Sequence, residues 1–241
     1  MLLRLDKYLA DMSIGTRTEV KALIKQGRIS VDGVCERKPE RKVDTQLHQV
    51  ALDGKPVEYA RYEYWMLNKP AGAISATTDS SQATVLDLLP QAQRKDLFPV
   101  GRLDKDTTGL LIITNDGQLA HRLLAPNKHV DKIYLATLRD PLGPQDAQAF
   151  AEGLDIGDDA PTLPALLEQP DPANPRLAQV TLHEGRYHQV KRMFEAVSNK
   201  VVHLQRIHMG PISLDPSLQE GQSRPLSDEE VRMLQAFKPC G

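Results

Sequence analysis

The chain has 241 residues, of which 40% are hydrophobic and 26% charged, so it can bury a core and still present a polar surface. No apolar run approaches the roughly 20 residues of a membrane span, and charges interrupt the only apolar stretch of the N-terminus, MLLRLDKYLA, which argues against a secretory signal. Two distant cysteines, Cys35 and Cys240, argue against a disulfide framework or a cysteine zinc site. A cytoplasmic protein, without membrane association and acting as a monomer, is the expectation. The formal net charge is −2, but residues 1–44 carry ten basic and seven acidic side chains, a basic head on a mildly acidic body.

In chain order, Leu5, Tyr8, Leu9 and Met12 recur at helical spacing. After a break at Ser13-Ile14-Gly15, Thr16 stands three residues before Glu19, the pattern of a capping box. The helix it opens buries Val20, Leu23 and Ile24 and stops at Gly27. A strand over 28–31 and a turn at Asp32-Gly33 complete the unit. Arg17, Lys21, Lys25 and Arg28 recur at intervals of four, four and three, which puts four like charges on one face. They repel one another, and a row of phosphates would reverse that penalty by releasing counterions. With Arg4 and Lys7 they are the candidate phosphate contacts. The bland alternative is a solvated helix face.

The stretch RLDKYLADMSIGTRTEVKALIKQGRISVDG resembles an S4 domain, a small module that binds structured RNA and carries no chemistry of its own. The likeness is close over 4–33 and extends to about residue 58. A second Asp-Gly turn falls at Asp53-Gly54, and residues 34–61 read as the end of this domain and a linker. The expected division is 1–60 for RNA binding and 61–241 for a second domain.

From Tyr62 the texture changes. Strands are predicted over 65–67, 97–100, 110–114, 133–138, 177–182 and 201–207, and helices after Asn115-Asp116-Gly117, between Pro144 and Gly153, and around Val190, Phe194 and Val197. Ser227 and Glu230 form a second capping box, for a terminal helix. Strands and helices do not alternate strictly, so an α+β domain with a mixed, largely antiparallel sheet and flanking helices follows the small N-terminal α/β module.

One loop concentrates chemistry: Gly101-Arg102-Leu103-Asp104-Lys105-Asp106-Thr107-Thr108-Gly109-Leu110 packs cations, carboxylates and hydroxyls between two apolar strands. Its Asp-x-Asp could be a metal site, a helix cap or a polar turn. GRLDKDTTGL resembles the signature of the RsuA/RluA group of pseudouridine synthases. Asn68-Lys69-Pro70-x-Gly72, Lys132-Ile133-Tyr134 and EGRYHQVKRM at 184–193 stand where that group has its other motifs. Four ordered motifs behind an S4-like head are similar above all to the branch that modifies a uridine of small-subunit 16S rRNA.

The resemblance implies isomerisation of a uridine to pseudouridine without metal or cofactor, with Asp104 as the catalytic carboxylate. It implies that Arg102 enters the RNA stack as the target base leaves, that Tyr134 lies against the flipped uracil, and that Val190 lines the pocket. Lys191 pairs with Asp104, with Arg192 as the less favoured substitute. These roles suit the physics: a carboxylate out of water tends to protonate unless a cation stands beside it, and a stacked base must be extruded to react. Asp106 is expected to brace the loop through Thr107 and Thr108. His183, His188, His203 and His208 show no repeated ligand spacing and are read as structural or RNA-contacting. The implied partner is ribosomal RNA or a small-subunit assembly intermediate. The alternatives are a synthase for 23S rRNA, a non-catalytic ribosome-assembly protein built on the S4 module, and a metal-dependent nuclease or phosphatase using Asp104 and Asp106.

Overall fold

The computed structural model describes residues 1–125 and 129–237, so Cys240 lies outside the described residues. Two units emerge: Met1–Glu63 with Pro90–Leu97, and Tyr64–Leu89 with Phe98–Gly241.

The first unit runs β1 (Leu2–Arg4), α1 (Leu5–Asp11), α2 (Arg17–Lys25), β2 (Ile29–Val31), β3 (Val34–Cys35), β4 (Lys42–Asp44), β5 (Val50–Leu52) and β6 (Lys55–Pro56). Leu5, Tyr8, Leu9 and Met12 are buried as their spacing requires, against Val20, Ile24, Ile29 and Val50. The capping box of α2 is formed: Thr16 N donates to Glu19 Oε2 at 2.7 Å and Glu19 N to Thr16 Oγ1 at 3.3 Å. Residues 34–61, read as a domain end and linker, instead supply four short strands. β3, β2, β5 and β6 form one antiparallel sheet, while β4 pairs with β1. Short strands of mixed polarity leave little periodic signal, so only the two Asp-Gly turns marked them. Both turns have the positive φ pair of a tight hairpin, 54° and 77° at Asp32-Gly33 and 49° and 81° at Asp53-Gly54. Residues 90–97 return to this unit through Arg94, whose side chain is 4% exposed. It donates to Asp96 at 2.5 Å and 2.8 Å and to the Ala60 carbonyl at 3.1 Å.

The second unit holds β7 (Tyr64–Lys69), a 3-10 turn (Val85–Leu88), β8 (Phe98–Pro99), β9 (Thr108–Thr114), α3 (Gly117–Leu124), β10 (Lys132–Leu138), α4 (Asp146–Glu152), β11 (Leu166–Glu168), β12 (Leu177–Leu182), α5 (Gln189–Ala196), β13 (Val201–Met209), β14 (Ile212–Ser213), β15 (Ser223–Pro225) and α6 (Asp228–Ala236). The strands form one sheet in the order β11-β12-β10-β13-β9-β7-β15, with β8 on β9 and β14 on β13. Its strand pairings are antiparallel except β13 with β9, so the expected α+β class with a mixed, largely antiparallel sheet is observed. β9 is buried at all seven positions, as its continuous apolar run requires, whereas β12 alternates buried and half-buried residues. The second capping box also forms, between Ser227 and Glu230. α4 begins at Asp146, not at Pro144, because the Asp146 carboxylate accepts from Gly143 N at 2.8 Å and so closes the preceding turn.

Two features prepare the site. Gly109 has φ 100°, and a Cβ there would lie 2.2 Å from the Arg206 carbonyl oxygen, so only glycine lets β9 approach β13. The β10–β13 register shifts between Ile133 and Tyr134, a bulge beside which Tyr134 faces Arg206.

Candidate active site

The loop before β9 is built from below by the end of β7 and the residues that follow it. Lys69 is fully buried, and its Nζ donates to the carbonyls of Pro70, Lys105 and Thr107 at 3.0, 3.2 and 2.9 Å. Burial pushes this ammonium down to about 8, although the charges of Asp106 and Asp104 favour its protonated form. Ser75 Oγ brackets Leu103, donating to its carbonyl at 2.8 Å and accepting from its N–H at 3.0 Å. Gly72 N donates to the Lys105 carbonyl at 2.8 Å. Asn68-Lys69-Pro70-x-Gly72 is therefore the scaffold of the Asp104 loop.

The opposite wall comes from the 184–193 motif. Gln189 Nε2 donates to Glu184 at 2.8 Å, and Arg186 N donates to Gln189 Oε1 at 2.9 Å, which ties the loop to the start of α5. The helix buries Val190, Met193 and Phe194 in the core and presents Lys191 on another face.

Lys191 Nζ lies 3.1 Å from Asp104 Oδ2 and 2.6 Å from Asp106 Oδ1. Burial pulls Lys191 down, but the hydrogen bonds to Asp106 and Asp104 outweigh it and hold the ammonium above its ordinary 10.5. The Lys191 hydrogen bond lowers Asp106. Asp106 thus braces Lys191 rather than Thr107 or Thr108, its expected partners; its side chain is 74% exposed. Arg192 is committed elsewhere, donating to Asp158 at 2.5 Å, to the Ile156 carbonyl, and to the Tyr187 carbonyl at 3.1 Å. Between the two basic candidates, geometry selects Lys191 as the partner of Asp104.

The Asp104 side chain, 26% exposed, opens on a cleft of about 80 Å³ bordered by Arg102, Thr107, Tyr134, Val190 and Leu204. All five residues singled out for the chemistry, Arg102, Asp104, Tyr134, Val190 and Lys191, come together here or at the cleft's edge. The Arg102 side chain is exposed and makes no hydrogen bond among the described residues. The Thr107 hydroxyl is buried without a hydrogen-bond partner among them.

His188 was missed. It caps α5 in the left-handed region, at φ 49°, and its Nε2 stands 3.5 Å from Asp104 Oδ1. Its ring stacks on Tyr187 at 3.8 Å, and Tyr187 is 75% exposed. Chain spacing gives no sign of this proximity, because the two residues lie far apart in the chain and only the fold brings them together. The other histidines serve the frame: His203 contacts Thr108 at 3.2 Å, His208 contacts Ser213 at 3.0 Å, and His183 lies 2.9 Å from Asp131.

In the first unit, Arg17, Lys21 and Lys25 are exposed and form no ion pair among the described residues. The predicted four-charge stripe loses Arg28, which lies beyond Gly27 and bonds Asp53 with Nε at 3.0 Å. Arg4 is held by Asp6 at 2.8 Å and Lys7 by Asp11 at 2.6 Å.

A loop carboxylate at a cleft that also holds an aromatic side chain, with a lysine behind it, is the arrangement of an enzyme that does nucleophilic or acid–base chemistry beside a planar group. The family models agree: residues 63–196 match RNA pseudouridylate synthase and residues 3–47 match the S4 domain. The chain is 45% identical, over 95% of its length and 99% of the relative's, to ribosomal small subunit pseudouridine synthase A of Pseudomonas aeruginosa. It is 46% identical to the uncharacterized RNA pseudouridine synthase YtzG of Bacillus subtilis, over 96% and 98% of the two chains. A crystal structure of a pseudouridylate synthase superposes with TM-score 0.68 at 38% identity, covering 96% of this chain and 99% of the other. The protein belongs to the RNA pseudouridine synthase family, with an S4 domain at its N-terminus.

Proposed function

We propose that this enzyme isomerises one uridine of small-subunit ribosomal RNA to pseudouridine, with Asp104 as the reacting carboxylate. The observation that carries the reading is the Asp104–Lys191 pair at 3.1 Å in a cleft that also offers Tyr134 and an uncommitted Arg102. The relatives named for the small ribosomal subunit, 42–45% identical over nearly the whole chain, support 16S rRNA as the target.

The reaction breaks the bond from C1′ to N1, turns the uracil, and joins C1′ to C5; C5 loses a proton and N1 gains one. No electrons are exchanged with another molecule. A carboxylate beside the sugar and base can act as nucleophile or base, and Lys191 lies against it at 3.1 Å. Tyr134 offers a flat face to the extruded base, where stacking is worth about 1–3 kcal/mol. Arg102, with its planar guanidinium, fills the gap left in the RNA stack. Arg17, Lys21 and Lys25 hold the surrounding RNA by its phosphates. In this reading residues 1–60 bind, residues 61–241 catalyse, and the enzyme works as a cytoplasmic monomer on ribosomal RNA or an assembly intermediate.

Incubation with 16S and 23S rRNA, followed by pseudouridine mapping, tests the target; modification only in 23S rRNA would overturn the small-subunit assignment. Asp104→Asn should lower pseudouridine formation by about 10³-fold or more, as for loss of a reacting group, with RNA affinity largely kept. Normal activity in that variant would remove the mechanism.

A further inference from the structure

A second cavity, of about 240 Å³, shares Arg102, Tyr134, Gly185 and Arg186 with the catalytic cleft, and Lys132, His183, Glu184 and Arg206 also border it. Two of its cations are buried in the fold: Lys132 is 8% exposed and Arg206 2%. Both have incomplete internal partners. Lys132 Nζ donates to the Val130 carbonyl at 3.1 Å. Arg206 Nε donates to the Leu110 carbonyl at 2.8 Å, but its Nη2 is buried with no hydrogen-bond partner among the described residues.

The nearby acids do not balance them. Glu184 is taken by Arg186 Nε at 2.9 Å, Leu163 N at 2.9 Å and Gln189 Nε2 at 2.8 Å. Asp131 is 56% exposed and faces His183. Burial, then the charge of Arg206, pushes Lys132 down to about 8, against the weaker pull of Asp131 and Glu184. Two buried cations without a carboxylate of their own are costly, and a bound anion would offset that cost.

Placement identifies the anion. Lys132 and Tyr134 stand two residues apart on β10, so they share a face at about 7 Å. Arg206 is the β13 neighbour of Tyr134. The cationic pair therefore flanks the aromatic residue that we place against the target uracil, at a separation one nucleotide can span.

We propose that this cavity is a phosphate subsite, in which Lys132 and Arg206 take the backbone phosphodiester adjacent to the target uridine. The inference rests on the RNA-modifying reading above. It assigns the pair a positioning role: a phosphate fixed here sets which nucleotide of the strand reaches Asp104.

Two arms test it. In the first, inorganic phosphate is titrated against chloride at matched ionic strength, and thermal midpoints are read for the wild type, Lys132→Met and Lys132→Arg. Phosphate should raise the midpoint of the wild type and of Lys132→Arg but not that of Lys132→Met. In the second, 16S rRNA fragments carry a single neutral methylphosphonate on the 5′ or the 3′ side of the modified uridine. One of the two positions should cost the wild type about tenfold in kcat/KM, the scale of one charge-assisted hydrogen bond. The same change should cost Lys132→Met nothing further. The wild-type comparison does not depend on whether the variant folds.

A phosphate effect without a methylphosphonate effect identifies a site for free anions and overturns the RNA assignment. Absence of both effects overturns the subsite. If the wild type converts no uridine even in unmodified RNA, the enzymatic reading has failed, and the phosphate arm alone then decides whether the anion site exists.

Discussion

Two sets of cations, one in each unit, stand in opposite settings. In the first, Arg17, Lys21 and Lys25 stand exposed along α2 without ion-pair partners among the described residues. In the second, Lys69 and Arg206 are buried and bonded to backbone carbonyls, and Lys191 is clamped between two carboxylates. Exposed charges act at range, are screened by salt, and substitute for one another. Buried charges act at one distance and one angle, and their loss leaves a carboxylate or carbonyl without its partner. In the proposed reading, one chain thus separates holding RNA from aligning a single base.

The sharpest way to break that contrast is Lys191→Met. We expect kcat to fall about 10²–10³-fold, the scale of one electrostatic group at a reacting centre, with RNA affinity little changed. Single-turnover kinetics beside a binding assay would show it, and a loss confined to affinity would place Lys191 with the diffuse charges of α2.

Lys69→Met comes next. It touches no substrate in our reading, yet it frees the carbonyls of Pro70, Lys105 and Thr107. A loop displaced by a fraction of an ångström should cost roughly tenfold to 10²-fold in kcat with KM nearly constant. Lys69 also leaves a signature in stability. Its ordinary value is 10.5 and its folded value about 8. Between those pH values the unfolded chain holds a proton that the folded chain has released, so stability rises with pH across that window. Lys132 contributes in the same window. Urea denaturation at pH 8 and pH 10 should show the rise in the wild type and a smaller one in Lys69→Met; equal rises would mean that Lys69 is not held in this way.

The smallest effect is expected from Lys21→Ala with Lys25→Ala. RNA binding should weaken about tenfold at low salt, and the slope of log K against log salt should flatten by about 2, while kcat holds. A change in kcat would join α2 to the chemistry.

Much of this was legible in the chain because its causes are local. The apolar faces of α1 and α2, the continuous run of β9, the alternation of β12 and the two capping boxes each depend on residues within one or two turns. The ordered motifs point to Asp104, Lys191 and Tyr134, which the structure brings to one cleft or its edge. The short strands of residues 34–61 carry too little periodic signal to be read: β3 and β6 close tight hairpins, and β4 and β5 pair with strands further back in the chain. Nor did any local feature mark residues 90–97 as part of the first unit.

The sequence by itself determined which residue types stand at which spacing, and through them the helices, the turns, the family and the candidate acid. Tertiary structure alone decided what each charge touches. It set Lys69 beneath the loop, chose Lys191 over Arg192, brought His188 to Asp104, and put Lys132 and Arg206 on one cavity beside a bulge. The physical reason is range: helix and turn preferences act over a few residues, whereas the state of a buried charge depends on whatever the fold brings within a few ångströms of it.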